Sequence, residues 1–156
     1  MNQPEATLDA DFLARQTRSL TAAAKWLQRV GRNLPIAAGV QIFSHRDEVD
    51  VSFMPSVDNL GGRSQRDVAA QIVRVIGGKW DKTTSDDCLY LRSTLPFGQV
   101  IIYLDKAETC TRRVVGKRKV ERTIPAVAAQ PARVVTDTVE DVEWDCGPIL
   151  GEQVAS

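Results

Sequence analysis

The spacing of apolar side chains predicts a long amphipathic helix near the start of the chain. Between residues 12 and 30, apolar side chains fall within about a third of the circumference of a helix at 100° per residue. Asp9 or Asp11 can cap the first turn, and Gly31 suits the end of the helix. We expect this helix to face the core through Phe12, Leu13, Leu20, Ala23, Leu27 and Val30.

The same pattern predicts a second helix and five strands. Residues 65–76 show helical spacing after the capping residue Ser64, and their expected core stripe consists of Val68, Ile72, Val75 and Ile76. Five other segments are strand candidates, and the second of them alternates with the two-residue period of a strand: 39–44, 49–54, 79–84, 88–94 and 99–104. Because short turns join successive strands, we expect an antiparallel sheet that is packed by the two helices on one face.

The last third of the chain has a different pattern. Residues 109–123 read TCTRRVVGKRKVERT and carry six bases against one acid, whereas residues 133–146 read RVVTDTVEDVEWDC and carry five acids against one base. The connector between them has a proline near each end. Two valine-rich segments of opposite charge predict a C-terminal two-stranded β-ribbon. The predicted fold class is therefore α+β.

A hairpin centred near residues 127–128 sets the register of this ribbon. Opposed residues lie about 5 Å apart on one face, and each favourable pair contributes roughly 0.2–1 kcal/mol. Because a two-stranded ribbon is marginal alone in water, its valines need another surface. That surface is either this chain's own sheet, which the two strands would extend, or another chain that the ribbon docks on. In the predicted register Cys110 faces Cys146, Arg112 faces Trp144, Arg113 faces Glu143, Val114 faces Val142 and Lys119 faces Asp137.

Length and composition indicate one globular domain with an appendage. The chain has 156 residues, 43% of them hydrophobic, and a formal net charge of zero. Any electrostatic function must therefore come from asymmetry within the chain. No apolar run could span a bilayer and no signal peptide is evident, so we expect a cytoplasmic protein with no membrane role. The expected parts are a flexible N-terminus at 1–8, a core domain at 9–106, the ribbon at 107–150 and a flexible tail at 151–156.

Basic charge is concentrated on the first predicted helix, where no acid occurs between Phe12 and Arg46. Its bases fall within about 100° of the helical circumference, with Trp26 at the edge of the stripe. The stripe can be a solvated face or an internal clamp on the acidic strand, a contact for an acidic protein, or a nucleic-acid surface. The predicted partner or nucleic-acid contacts are Arg15, Arg18, Lys25, Trp26, Arg29, Arg32, Arg112, Arg113, Lys117, Arg118, Lys119 and Trp144.

A glycine-rich segment before the second helix is a candidate anion site. The free backbone N–H groups of a helix N-terminus and a nearby arginine can hold an anion. The alternative is a flexible loop that ends in a capping serine. The residues concerned are Gly61, Gly62, Arg63 and Ser64.

The sequence contains no recognised catalytic motif. His45 is the single histidine and falls in a predicted turn, and Asp86–Asp87 between strands is ordinary turn chemistry. We therefore predict no catalytic residue, no enzymatic activity and no cofactor. The three cysteines lack CxxC spacing and a fourth ligand, so no metal site is expected. They should be thiols in a reducing cytosol, although the facing pair Cys110 and Cys146 could form a bridge.

Four segments resemble a group of small uncharacterised proteins from actinobacteria and their phages: GGKW at 77–80, CTRRVVG at 110–116, VERTIP at 120–125 and VEWDCGPIL at 142–150. In that group a cysteine opens a VVG-containing strand and a Glu-Trp-x-Cys segment closes the chain. The resemblance covers roughly residues 68–150. It implies a phage or prophage accessory gene product and a recurrent pair at Cys110 and Cys146, and it carries no activity or cofactor.

These patterns together predict a non-catalytic accessory or regulatory protein. It would act in the bacterial host cell by docking on a protein partner through the ribbon and the basic helix. The partner could be a host protein, a phage protein or a second copy of the chain in a homo-oligomer. The alternative is a nucleic-acid-binding protein that uses the basic helix 12–32 and the basic strand 112–122.

Overall fold

The computed structural model describes residues 9–149. The predicted flexible segments 1–8 and 151–156 lie outside the described residues. In chain order the elements are α1 (Ala10–Val30), a 3-10 turn (Gly31–Asn33), β1 (Gly39–Ile42), β2 (Val49–Phe53), α2 (Gln65–Ile76), β3 (Asp81–Thr84), β4 (Cys88–Leu95), β5 (Gly98–Asp105), α3 (Lys106–Thr109), β6 (Thr111–Ile124) and β7 (Arg133–Asp145).

The α+β class with a C-terminal two-stranded ribbon is confirmed. One sheet has five strands in the order β1-β2-β5-β4-β3, and β6 and β7 form a separate antiparallel sheet. The larger sheet is mixed, because β2 and β5 run parallel where antiparallel pairing was expected. Short turns constrain only strands that follow one another in sequence, whereas β2 and β5 are separated by α2, β3 and β4.

The local signals at the helix ends are confirmed. The Asp9 side chain accepts a hydrogen bond from the backbone of Asp11 at the start of α1. The Ser64 hydroxyl accepts one from the backbone of Asp67 at the start of α2, at 3.0 Å. Each cap satisfies a backbone N–H that has no partner inside its helix.

The buried side of α1 differs from the predicted stripe. Leu13 and Leu20 are exposed, whereas Trp26 is only 8% exposed and its ring centroid lies 5.4 Å from that of Phe97. The helix is thus rotated toward its tryptophan, whose large ring gains more from burial than either leucine. In α2 the buried residues are Gln65, Val68, Ala69, Ile72 and Val73, so the predicted Val75 and Ile76 lie at the margin.

The core lies against one face of the five-stranded sheet. In β4 and β5 alternate side chains are fully or almost fully buried, as the two-residue period of a strand requires, whereas β2 is buried at all five positions. Helix α1 packs near β2 and helix α2 near β5. The sheet and its neighbouring loops contribute Val49, Val51, Phe53, Trp80, Leu89, Leu91, Val100, Ile102 and Leu104 to this core.

The parallel pair depends on Gly98 at the start of β5. Its φ is +147°, and a Cβ at this position would lie 2.0 Å from the carbonyl oxygen of Val49. Val49 also donates a backbone hydrogen bond to the carbonyl of Phe97, at 3.1 Å. Only a residue without a side chain allows β2 to approach β5 this closely.

The chain divides into two compact units, of which Cys110–Gly147 is one. In this ribbon unit the predicted facing of Arg112 with Trp144, Arg113 with Glu143 and Val114 with Val142 is confirmed. The predicted facing of Lys119 with Asp137 is wrong, because Lys119 faces Thr138. A register shift between Val114 and Gly116 makes Val115 the extra residue of a β-bulge, which moves every later pair by one position.

The ribbon closes in a tight turn one step beyond the predicted centre. Backbone hydrogen bonds of 3.2 and 2.8 Å link Val127 and Gln130, which leaves Ala128 and Ala129 as the two turn residues. Ala129 has a φ of 82° in the left-handed region. Two-residue loops of this kind keep the flanking strands in a fixed register.

Candidate functional site

The ribbon is the first candidate surface, because both of its faces are open to solvent. Most residues of β6 and β7 are exposed. Within residues 9–149 the two strands pair only with each other, so the interpretation in which they extend the core sheet is wrong. At about 3.4 Å per residue the paired strands are roughly 45 Å long, and each has an unpaired outer edge.

Ion pairs between β6 and β7 neutralise most of the basic strand. Their closest nitrogen–oxygen distances range from 2.5 to 3.8 Å. Lys119 is the base of β6 that has no ion pair among the described residues. The basic strand is therefore largely matched by its own partner, and it offers little free charge to a phosphate. The pairs are Arg112–Glu140, Lys117–Glu140, Arg113–Glu143, Arg118–Asp141 and Arg122–Asp137.

In the half of the ribbon beyond the bulge, one face carries four apolar side chains, each directly opposite a charged residue. Directly opposed and diagonal partners share a face, so the register places Val120, Ile124, Val135 and Val139 together; we call these four residues the valine stripe. Val120 is 38% exposed and Val139 is 37% exposed. On the opposite face the residues are charged or threonine, except for the 63% exposed Val134.

The sequence contained a signal for this stripe that the residue-by-residue register missed. Val114 and Val115 are consecutive valines followed by Gly116, which breaks strict alternation within β6. An extra residue at a bulge changes which side chains share a face from that point on. The valine stripe is thus assembled by the bulge, and the unbroken register could not place its members together.

The base of the ribbon is closed by a covalent bond. The predicted facing pair Cys110 and Cys146 is joined by a disulfide across a sequence separation of 36, so these residues are not the thiols that were expected. Cys88 is a free cysteine. Trp144 is half-buried and faces Arg112 close to this bridge.

The basic face of α1 is the second candidate surface. Arg15 donates from Nε to Asp47 at 2.7 Å, and this hydrogen bond raises the pKa of the Arg15 guanidinium above its usual value. The other four bases are exposed, and none has an ion pair within the described chain. The prediction that Trp26 contacts a partner is wrong, because this side chain is buried against Phe97. We call Arg18, Lys25, Arg29 and Arg32 the basic stripe.

A shallow groove lies beside the N-terminal half of the basic stripe. Its volume is about 350 Å³. Pro96 is exposed at its edge, and Phe97 is almost wholly buried beneath it. The predicted internal clamp between α1 and the acidic strand has little charge available, because four acids of β7 pair with β6. The groove is lined by Arg15, Arg18, Ser19, Ala22, Asp47, Pro96 and Phe97.

The candidate anion site at Gly61, Gly62, Arg63 and Ser64 is a structural turn. Arg63 donates from Nε to the carbonyl of Leu60 at 2.7 Å and from Nη2 to the carbonyl of Pro35 at 3.2 Å. The Ser64 hydroxyl is engaged as the cap of α2, and Asp67 places a negative charge in the first turn. The Arg63 guanidinium and the Ser64 hydroxyl are therefore already hydrogen-bonded, and the negative charge of Asp67 would repel an anion.

The residues considered for catalysis are dispersed. Asp50 is buried on β2 and pairs with Nη2 of Arg46 at 2.5 Å, whereas Asp86 and Asp87 are exposed in the turn between β3 and β4. His45 is exposed beside the ring of Phe43. Among the described residues no group of three or more His, Cys, Asp or Glu side chains could hold a metal ion. In the same part of the chain no helix is long and apolar enough to cross a membrane.

Comparisons with protein-family models, with curated proteins and with solved structures find no match for this chain. Function must therefore be inferred from the two surfaces themselves. The ribbon offers exposed valines and unpaired strand edges, and α1 offers unpaired positive charge.

Proposed function

We propose that the protein is a non-catalytic accessory or regulatory protein that docks on another protein through its ribbon. The observation that carries this proposal is the valine stripe, which gathers four apolar side chains among charged residues on one face of a two-stranded sheet. Isolated two-stranded ribbons gain little from burial, so exposed valines on one face are costly unless a partner covers them. A phage or prophage origin and action in the host cell belong to the same hypothesis.

The partner that we propose is a different protein with an apolar surface, and the charge of the ribbon edges supports this choice. A symmetric dimer would place β6 beside β6 or β7 beside β7. Strand β6 carries six bases against one acid and β7 carries five acids against one base, so either pairing opposes like charges. The charge layout therefore disfavours edge-to-edge self-association.

Face-to-face pairing of two valine stripes is disfavoured by size. The stripe consists of four side chains, of which Val120 and Val139 are already more than 60% buried and Ile124 and Val135 are buried further. A stable dimer usually buries about 800 Å² on each partner, and four half-covered valine-sized side chains supply much less. A larger heterologous surface, with an acidic group opposite Arg133 at the end of the stripe, fits better.

The test compares capture of a partner by the full chain and by two isosteric variants. Val120→Thr with Val139→Thr keeps strand propensity but makes the stripe polar, whereas Val134→Thr makes the same change on the opposite face. We expect the first variant to lose at least about 10-fold in affinity and the control to lose less than about 2-fold, by analogy with desolvated interface residues. Calorimetric titration with the purified captured protein measures the difference.

Two outcomes would overturn the proposal. Equal losses in the stripe variant and the control would show that binding does not use the valine stripe. Sedimentation that shows a dimer of the wild-type chain, converted to monomer by the stripe variant, would make a second copy the occupant in place of a different protein.

A further inference from the structure

We infer that the basic stripe of α1 is a sequence-independent contact for the phosphate backbone of duplex DNA. Arg18, Lys25 and Arg29 lie on one side of α1, and Arg32 follows in the 3-10 turn Gly31–Asn33. All four are exposed and without ion pairs in the described structure. At 1.5 Å per residue in the helix and about 2 Å in the turn, Arg18 and Arg32 are separated by roughly 20 Å. This inference is independent of the ribbon and of its protein partner.

The local charge balance makes this face unlike the rest of the chain. After Asp11 in the first turn of α1, no acid occurs before Asp47. Asp47, which lines the same groove as Arg18, is already bound by Arg15. A duplex presents about a dozen phosphate charges over the length of the stripe, so several lie within reach of the four long side chains.

The groups between the bases favour DNA over an acidic protein. Protein interfaces depend on a few desolvated aromatic or large apolar anchors. The exposed Ala22 lies one turn after Arg18 and offers no large apolar group, and the nearby Trp26 is buried against Phe97. Phosphate contacts need only charge and hydrogen-bond donors, and arginine meets phosphate in a two-pronged geometry.

The same buried tryptophan favours a duplex over single-stranded nucleic acid. Proteins that bind single strands use exposed aromatic rings on which successive bases stack. Along the stripe the structure exposes no such ring among residues 10–33, because Trp26 is buried and Phe12 is half-buried. Backbone contact with a duplex needs no stacking platform.

The ribbon does not contribute to this DNA contact. Five of the six bases in β6 are held by acids of β7, so their positive charge is already matched. The number of phosphates contacted should therefore be about four, and the logarithm of the binding constant should fall with the logarithm of salt with a slope of about −3.6. A surface that also used β6 would give a slope of about −9.

The experiment is a fluorescence anisotropy titration of a labelled 30-base-pair duplex with the full oxidised chain. We expect binding at 50 mM salt that weakens about 150-fold by 200 mM salt. The variant Arg18→Glu with Lys25→Glu and Arg29→Glu should lose at least about 100-fold at 50 mM salt. Circular dichroism should show that the variant remains folded, because all three side chains are exposed.

The matched control reverses three exposed bases outside the stripe: Arg74→Glu, Lys119→Glu and Arg133→Glu. It changes the net charge by the same amount and should lose less than about 3-fold. Absence of binding at 50 mM salt, an equal loss in the control, or a slope near −9 would overturn the inference. So would tighter binding of a polyglutamate peptide than of the duplex, which would assign the stripe to an acidic protein.

Discussion

At the scale of single residues, Gly98 decides how the two halves of the core sheet meet. Its backbone has a φ that other residues rarely adopt, and the carbonyl of Val49 occupies the space where a side chain would begin. Because backbone atoms on a buried strand cannot move aside without breaking their hydrogen bonds, this contact cannot relax cheaply. Glycine is therefore required at position 98 both by the backbone conformation and by the lack of space for a side chain.

Gly98→Ala should therefore destabilise the protein by more than about 3 kcal/mol, which is exceptional for adding one methyl group. Gly116→Ala is the matched control, because a Cβ there would meet the Asp141 carboxylate at an ordinary 3.5 Å and its φ is not in the positive region. We expect the control to change stability by less than about 0.5 kcal/mol. Urea unfolding monitored by tryptophan fluorescence measures the free energy of unfolding of both variants. Similar losses in the two would show that the close approach of β2 to β5 does not require glycine at position 98.

The sequence predicted residue-scale features well where the interaction is local. The caps at Asp9 and Ser64 depend on backbone groups two or three positions away, so the sequence contains both partners. The burial of Trp26 depends on Phe97, which lies far later in the chain. Helical spacing alone cannot show which side of α1 contacts Phe97. The need for glycine at position 98 likewise follows only from the β2–β5 pairing.

At the scale of elements, the ribbon shows how one extra residue redistributes a surface. The bulge at Val115 sits between two stretches of regular antiparallel pairing. On the side toward the disulfide, Val114 and Val142 face each other; on the side toward the turn, the valine stripe lies on the other face. The bulge therefore joins two registers that the turn and the disulfide fix independently.

Deletion of Val115 should leave the ribbon intact, because the pairs on either side of it become consecutive. Deletion of Glu121, an exposed residue without an ion pair in the described structure, is the matched control. Deletion of Glu121 should move residues 116–120 by one position along β7. This shift separates Arg118 from Asp141 and Lys117 from Glu140, and we expect it to lower the stability of the ribbon by roughly 1–2 kcal/mol.

Amide hydrogen exchange along β6 and β7 distinguishes the two deletion variants. We expect wild-type protection after deletion of Val115 and faster exchange after deletion of Glu121. Equal loss of protection in both would mean that the bulge itself stabilises the ribbon. Loss of partner binding after deletion of Val115, with protection retained, would assign the bulge to recognition.

The sequence predicted the two strands of the ribbon correctly, but it did not predict their full register or the parallel pairing in the core sheet. Charge complementarity and valine content identified two paired strands, and the register was right from Arg112 to Val114. The predicted register failed beyond Val115. The bulge there reconciles the register set by the turn at Ala128–Ala129 with the register set near the disulfide, and neither is visible in the local sequence. The parallel pair of β2 with β5 was missed for a related reason, since no short connection links them.

At the scale of the whole molecule, the chain combines two units with different sources of stability. The unit that contains the five-stranded sheet has a fully buried apolar core. The Cys110–Gly147 unit is exposed on both faces, and its five ion pairs join side chains at least 39% exposed. Exposed pairs of this kind contribute at most about 1 kcal/mol each, so the ribbon relies on its disulfide to remain ordered.

Removal of the Cys110–Cys146 bond should unfold the ribbon while the core unit stays folded. In the chain-entropy account, closing a loop of 36 residues restricts the unfolded ribbon by about 4 kcal/mol. Cys110→Ser with Cys146→Ser should therefore accelerate amide exchange in β6 and β7 at least about 100-fold, with little change in β2 and β5. Cys88→Ser is the control and should change neither set. Reduction of the wild-type chain with a dithiol should reproduce the double variant, whereas persistent protection of the ribbon under reduction would show that the ion pairs and the turn suffice to hold the docking surface.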